Sequence, residues 1–263
     1  MRYFKIFLLH CQDVLTERTR SLVWLLLPLI NAGFFMIFWF AALQGKSTIG
    51  GWDLNSFITY YLLLIVVGSL VVSHVEDPVD RDIRQGDVAK YFVKPFPYYL
   101  FMLFMELPYR LLQGFYGVVM FTFIVFIFPA FRIPLPDIQT SIVLVVIIIC
   151  AFLMTHTYKM LIGLITFWTK DVRGFTETSD VLILLLAGYN LPLALLPDVM
   201  AQIAYALPFA YFMYFPVIAL QGKLSFPELL NVLLIQLVWL SVFAFAYRIM
   251  LKNGLKKFTA VGQ

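Results

Sequence analysis

The sequence predicts an all-α integral membrane protein with six transmembrane helices. Three observations support this fold class: the composition, the number of long apolar segments, and the way basic residues divide between the two sides of a membrane. Of the 263 residues, 62% are hydrophobic and 13% are charged, against about 45–50% and about 25% in ordinary soluble domains. So few charges cannot form the polar shell of a soluble protein, and lipid is therefore the expected solvent.

Six segments are long and apolar enough to cross a bilayer, whose hydrocarbon core of about 30 Å needs about 20 helical residues. A helix satisfies every backbone amide within its own segment, so each segment is predicted to be helical. The fourth carries one charge, Lys159, and the other five carry none. The predicted spans are 22–43, 57–75, 111–128, 142–168, 181–196 and 229–247.

The basic residues predict the orientation of these spans. With the amino terminus in the cytoplasm, sixteen Lys and Arg residues fall on or near the cytoplasmic side, and three, Lys46, Arg132 and Lys223, fall on the other side. This bias follows the positive-inside rule, so both termini are expected to be cytoplasmic. The basic residues form no dense run interleaved with aromatic residues, so membrane lipid is an expected partner and nucleic acid is not.

Two segments outside the spans have unusual patterns. Apolar residues recur at helical spacing from Phe4 to Leu15, which predicts an interfacial helix within residues 1–20. That helix either anchors the first span or transmits motion. Between the fifth and sixth spans, prolines interrupt an apolar and aromatic segment, which predicts short external or re-entrant helices within 197–228. The alternative there is an external loop with packed apolar side chains.

The loop between the second and third spans, residues 76–98, is highly charged: nine of the 34 charges of the chain fall within residues 76–94. Its pattern predicts a short helix with Asp77 as the amino-terminal cap, Pro78 at the first helical position and Gly86 in a left-handed turn at the end.

The same helix is expected to have two faces. Val79 and Ile83 are four residues apart and share an apolar face, while Arg81 and Arg84 project elsewhere. A capped helix of this kind is suited to docking into a groove on a soluble partner. The alternative is a solvated turn that only joins two spans.

Several strings resemble the permease subunits of ABC-2 type ATP-binding cassette exporters. The charged loop carries Asp80-Arg81-Asp82-Ile83-Arg84-Gln85-Gly86-Asp87-Val88 and Tyr91-Phe92-Val93-Lys94-Pro95. Further matches are Leu191-Pro192-Leu193-Ala194-Leu195-Leu196-Pro197, Leu207-Pro208-Phe209 and Phe258-Thr259-Ala260-Val261-Gly262. The resemblance implies one permease domain over residues 1–263, with an interfacial helix, a coupling helix and short external helices.

The resemblance also implies partners. In such exporters two permease chains, identical or related paralogues, form the path and rest on two ATPase subunits in a prokaryotic plasma (inner) membrane. The chain itself is expected to be no enzyme, with ATP and Mg²⁺ on the ATPase. Its one phosphate-loop lookalike, Gly45-Lys46-Ser47-Thr48, has Phe40 where such a loop needs glycine. The expected ATPase contacts are Asp77, Asp80, Arg81, Asp82, Ile83, Arg84, Gly86 and Asp87, with Asp171, Arg173 and Glu177 from a second cytoplasmic loop.

Three other function classes were weighed. An ion-coupled secondary transporter needs an ionisable group within the membrane, and Glu106 and Arg110 are the candidates. Their spacing of four residues favours pairing along one helix face. An intramembrane enzyme is disfavoured because the three histidines lie in separate segments and no metal-binding or nucleophile motif is present. A membrane scaffold or assembly protein stays open, as does the substrate: drug, lipid, peptide or glycan.

Overall fold

The computed structural model describes residues 2–16, 18–93, 97–131, 133, 135–169 and 171–257. The predicted terminal motif at 258–262 and the end of the charged loop at 94–96 lie outside them. The described residues form helices without a strand. The α-helices are α1 (Arg2–Thr16), α2 (Arg18–Ala42), α3 (Leu54–Val71), α4 (Glu76–Arg84), α5 (Ala89–Val93), α6 (Tyr98–Ile127), α7 (Ile138–Leu164), α8 (Arg173–Leu186), α9 (Asp198–Ala206), α10 (Tyr214–Leu220) and α11 (Phe226–Lys257).

Four helical segments are long and apolar enough to cross a membrane: Leu54–Arg84, Tyr98–Ile127, Ile138–Phe167 and Phe226–Lys257. They overlap the second, third, fourth and sixth predicted spans, so long helices are confirmed there. The first predicted span lies in α2, whose segment Leu26–Ala42 is a shorter apolar helix.

The outward faces of the long helices are apolar, as expected of helices that meet lipid. Ile37 on α2, Phe123 on α6 and Phe245 on α11 are 71%, 63% and 67% exposed. Large apolar side chains at such exposure would be unusual over the whole surface of a soluble monomer.

The fifth predicted span, 181–196, is not one continuous helix, and this prediction was wrong. α8 ends at Leu186, and Gly188 adopts a left-handed φ of +76°. The hydroxyls of Tyr60 and Tyr61 donate to the carbonyls of Gly188 and Asn190 at 2.6 and 2.7 Å. These bonds stabilise the turn after the helix because they satisfy two backbone carbonyl groups that lie outside any helix. A short 3-10 helix, Leu193–Leu195, follows.

The short helices predicted within 197–228 are present as α9, the 3-10 helix Pro208–Tyr211, and α10. The chain bends by 73° between Asp198–Ala206 and Pro208–Leu220. Pro208 begins the second segment, where its missing N–H removes no helical hydrogen bond. Phe212 and Val217 are fully buried, so this region belongs to the core and is not a loose apolar loop.

α3 is the central helix of the bundle. Its residues Phe57, Tyr60 and Val67 are fully buried, and the ring of Phe57 stacks on Trp39 of α2 at 3.9 Å between centroids. On the other side, α7 packs along α11, where the buried Gln236 amide donates to the carbonyls of Ile147 and Tyr211 at 3.2 and 3.1 Å.

Candidate coupling surface and buried ion pairs

α4, the predicted coupling helix, forms with different boundaries from those expected. Helical geometry already includes Val75, and the first residue of α4 is Glu76, so Asp77 lies in the first turn and is not the cap. The structure gives this helix end no side-chain cap. Asp77 still complements the positive end of the helix dipole. Gly86 follows the helix with a φ of +80°, in the left-handed conformation that the sequence predicts.

The apolar face of α4 packs on its own chain. Val79 is fully buried and Ile83 is 6% exposed, in a cluster with Met160 and Leu164 of α7. A Cβ on Gly163 would lie 2.7 Å from the Val79 side chain, so glycine is what allows α4 to approach α7 this closely. Burial against α7 already removes the apolar surface of Ile83 from water, so Ile83 is not among the ATPase contacts proposed below.

The acidic residues of the charged loop differ in their surroundings. Asp80 accepts from Arg84 Nε at 2.7 Å and from the Thr166 hydroxyl at 2.6 Å. Asp82 is half-buried and accepts from the Tyr98 hydroxyl at 3.0 Å, so it faces α6. Asp87 forms an exposed ion pair with Lys90 at 2.6 Å. Between residues 76 and 91, the well-exposed side chains are those of Asp77, Arg81, Arg84, Gln85 and Lys90.

The structure brings the two predicted contact loops together. A groove of about 430 Å³ lies between α4 and the start of α8. Arg84 Nη2 lies 3.9 Å from Asp171 Oδ1 across it, and Asp171 in turn accepts from the Arg173 backbone N–H at 2.9 Å. The residues that line this groove are Asp77, Asp80, Arg81, Arg84, Gln85, Val172, Arg173, Thr176 and Glu177. Residues that are about 90 positions apart in sequence thus form one polar surface.

Lys159 connects α4 to two other helices. Its Nζ lies 2.7 Å from Glu76 Oε1 on α4 and 2.6 Å from Asp180 Oδ1 on α8. The side chains of Lys159 and Glu76 are 3% and 2% exposed, whereas that of Asp180 is 54% exposed. The sequence shows Lys159 as the one charge of the fourth predicted span, but no local pattern indicates its partners.

A second buried cluster is centred on Glu106 of α6. Arg110 Nε lies 3.4 Å from Glu106 Oε1, consistent with the spacing of the pair along one helix face. The same carboxylate accepts from the Ser73 hydroxyl at 2.8 Å and the His74 backbone N–H at 3.1 Å, and His156 Nδ1 lies 2.8 Å away. Since Ser73 and His74 lie between α3 and α4, this cluster positions the segment that leads into α4.

Comparison with known proteins identifies the family. A family model described as ABC-2 family transporter protein matches residues 29–262. The chain belongs to the ABC-2 transporter family. A search of curated proteins found no matching relative. Membership of this family indicates a transport subunit, and permeases of the family generally partner with ATPase subunits.

Neither a nucleotide loop nor a metal cluster is evident in the described part of this ABC-2 family protein. Gly45, at the phosphate-loop lookalike, follows the helix α2, whereas a phosphate-binding loop follows a strand. Among the described residues, no three His, Cys, Asp or Glu side chains are grouped closely enough to hold a metal ion.

Proposed function

We propose that this ABC-2 family protein is the permease subunit of an ATP-driven exporter and is moved by a separate ATPase subunit that binds ATP and Mg²⁺. The observation that carries the proposal is the groove between α4 and α8. Its arginines, Arg81, Arg84 and Arg173, are exposed, while the apolar face of α4 is buried against α7. Such a surface offers a partner both positive and negative groups to match, and charge complementarity gives specificity at interfaces.

The buried ion pairs support a coupling role for this surface. Lys159 links α4 to α7 and α8, and Glu106 holds the segment before α4. Motion of α4 is therefore passed directly to the long helices. We assign Asp77, Asp80, Arg81, Arg84, Asp171, Arg173 and Glu177 to the ATPase contact, with Gly86 and Asp87 at its edge.

The double substitution Arg81→Glu with Arg84→Glu tests this contact. In the complex that co-purifies with the tagged chain, we expect transport-stimulated ATP hydrolysis to fall about tenfold or more, because reversed charges oppose the partner surface. Lys252→Glu with Lys256→Glu is the matched control: both lysines are exposed near the end of α11, and neither lines the groove. Unchanged stimulated hydrolysis in the first variant would rule out the assignment.

We further propose a six-span topology with both termini in the cytoplasm of a prokaryotic cell and the protein in its plasma (inner) membrane. The crossing segments are α2, α3, α6, α7, the segment from α8 to Leu195, and α11. The first half of α8 lies at the groove, so residues 181–186 of this helix and the turns that follow it form a broken fifth span.

Cysteine labelling tests this topology. Ser47 and Gln85 are both exposed, so a difference in labelling reports the side of the membrane and not burial. In a background with Cys11→Ser and Cys150→Ala, we expect a membrane-impermeant maleimide to label Ser47→Cys in intact cells and Gln85→Cys only after lysis. Labelling of both positions in intact cells would contradict the topology.

A second permease chain, identical or a related paralogue, completes the proposed complex with two ATPase subunits. One alternative function has an observation in its favour: the buried Glu106 and His156 pair is the kind of ionisable group that an ion-coupled secondary transporter uses. Family membership supports the ATP-driven function instead. A scaffold role would need no coupling groove.

A further inference from the structure

A large cavity lies among α2, α3, α6 and α8, directly beside α4. Its volume is about 840 Å³, within the range of about 300–1,000 Å³ that small-molecule sites occupy. Most of its wall is apolar, with Leu64, Ile65 and Gly68 from α3, Met105 from α6 and Ile183 from α8. This apolar part of the wall offers a surface on which a hydrocarbon chain can pack.

Arg110 gives the cavity a cationic group. It lines the cavity on α6 and is only 7% exposed. Its Nη1 donates to Gln113 Oε1 at 3.0 Å, and its Nε, 3.4 Å from Glu106, forms no hydrogen bond in the described part of the chain. A guanidinium has five N–H donors, so the two protein contacts leave donors of Arg110 unused.

The Glu106 carboxylate beside Arg110 already has closer hydrogen-bond partners. Glu106 has Ser73, the His74 backbone N–H and His156 within 3.1 Å, all closer than Arg110. A buried donor without an acceptor costs free energy. An anionic group that enters the cavity would supply the acceptors that Arg110 lacks.

The acidic residues Asp13 and Asp180 that line the cavity have hydrogen-bond partners of their own. Asp13 lies 3.1 Å from His10, and Asp180 lies 2.6 Å from Lys159. Asp77 lies at the cytoplasmic groove, four residues before Arg81 on the same helix. These carboxylates therefore do not prevent an anion from reaching Arg110.

We infer that this cavity binds an amphipathic molecule with one hydrocarbon chain or more and an anionic headgroup, a carboxylate or a phosphate. The headgroup pairs with Arg110 beside Gln113, and the chain lies along Leu64, Ile65 and Gly68. That this molecule is the transported cargo rests on the proposed function; that it binds does not. A membrane phospholipid and a free fatty acid share this chemistry.

Photo-crosslinking tests the site in the full chain, in nanodiscs of phosphatidylcholine without ATPase. The probe is a palmitate analogue with a diazirine in its chain, and the matched probe is the corresponding alcohol. We expect the acid to label residues of α3 and α6 in the cavity. Arg110→Gln lowers labelling by the acid about tenfold or more and leaves labelling by the alcohol unchanged, whereas Arg248→Gln, an exposed control on α11, changes neither.

A second variant covers the case in which Arg110→Gln does not fold. A Cβ on Gly68 would lie 3.1 Å from Met213 Cε, so Gly68→Leu fills the space between α3 and Met213 without changing charge. We expect it to reduce labelling by both probes. Equal labelling of the wild-type cavity by acid and alcohol, or acid labelling that persists in Gly68→Leu, would overturn the inference.

Competition separates the two sources of ligand. Unlabelled oleate that prevents labelling identifies a free amphiphile, and unlabelled dioleoyl phosphatidate that does so identifies a membrane lipid; competition by neither overturns the inference. Because no ATPase is present, this experiment does not depend on the coupling test. If the cavity is labelled but Arg81→Glu with Arg84→Glu leaves stimulated ATP hydrolysis unchanged, the cavity is a binding site and its assignment as a cargo site is withdrawn.

Discussion

Replacing Lys159 by methionine is expected to lower the free energy of unfolding by about 3–5 kcal/mol, the usual cost of removing one partner of a buried ion pair. The substitution preserves the apolar stem but leaves the Glu76 carboxylate, 2% exposed, without its cation. Asp180 is half exposed, so water can replace the ammonium group there. Reversible unfolding by SDS in mixed micelles measures the effect.

Two further variants identify the cause of this loss. Lys90→Met removes an ion pair to Asp87 of similar length, 2.6 Å, but with both side chains exposed, so a change of only about 0–1 kcal/mol is expected. Adding Glu76→Gln to Lys159→Met removes the uncompensated charge and should restore much of the lost stability. If the double variant is as unstable as the sum of the two single variants, the ion pair does not explain the effect.

Lys159→Met also has a functional consequence that is distinct from stability. Under conditions where the variant stays folded, its complex should bind the ATPase as the wild type does, because the exposed groove is unaltered. Transport per ATP hydrolysed should fall, because α4 loses its charged connection to α8. Normal transport in a folded Lys159→Met complex would show that this connection does not carry motion.

Glu106→Gln is expected to have a comparable cost, also about 3–5 kcal/mol, because it leaves the guanidinium of Arg110 buried without a counter-charge. The amide keeps the size of the side chain, and its oxygen can still accept from Ser73. The loss is therefore electrostatic and not a cavity effect. Unfolding in mixed micelles again provides the measurement.

The matched test for Glu106 is a double-mutant cycle with Arg110→Gln. Residues that interact directly show coupling of about 0.5–3 kcal/mol, so the double variant should be more stable than additivity predicts. Strict additivity would mean that the Arg110 contact at 3.4 Å contributes nothing and that the other partners of Glu106 determine its stability.

Hydropathy and local spacing predicted the features that depend on neighbouring residues. The long helices around 57–75, 111–128, 142–168 and 229–247 follow from apolar length alone, and the left-handed Gly86 and the Glu106–Arg110 pair follow from spacing within one helix. The groove that joins Arg84 to Asp171 also agrees with two separately predicted loops.

The remaining features depend on which helices pack together, and no local pattern reports this. Glu76 and Lys159 are 83 residues apart, and only the packing of α4 on α7 brings them into contact. The same packing buries Ile83. The end of α8 at Leu186 depends on tyrosines of α3 that bind carbonyls after the turn, so an apolar sequence alone predicted a helix there.

The close contact between Val79 and Gly163 has a mechanical consequence. Because Gly163 has no side chain, the Val79 side chain packs directly on the backbone of the 27-residue helix α7, so α4 and α7 are in close contact along this face. Gln236 ties α11 and Tyr211 to the same helix. In the proposed coupling mechanism, a displacement of α4 would therefore move α7 and, through Gln236, α11.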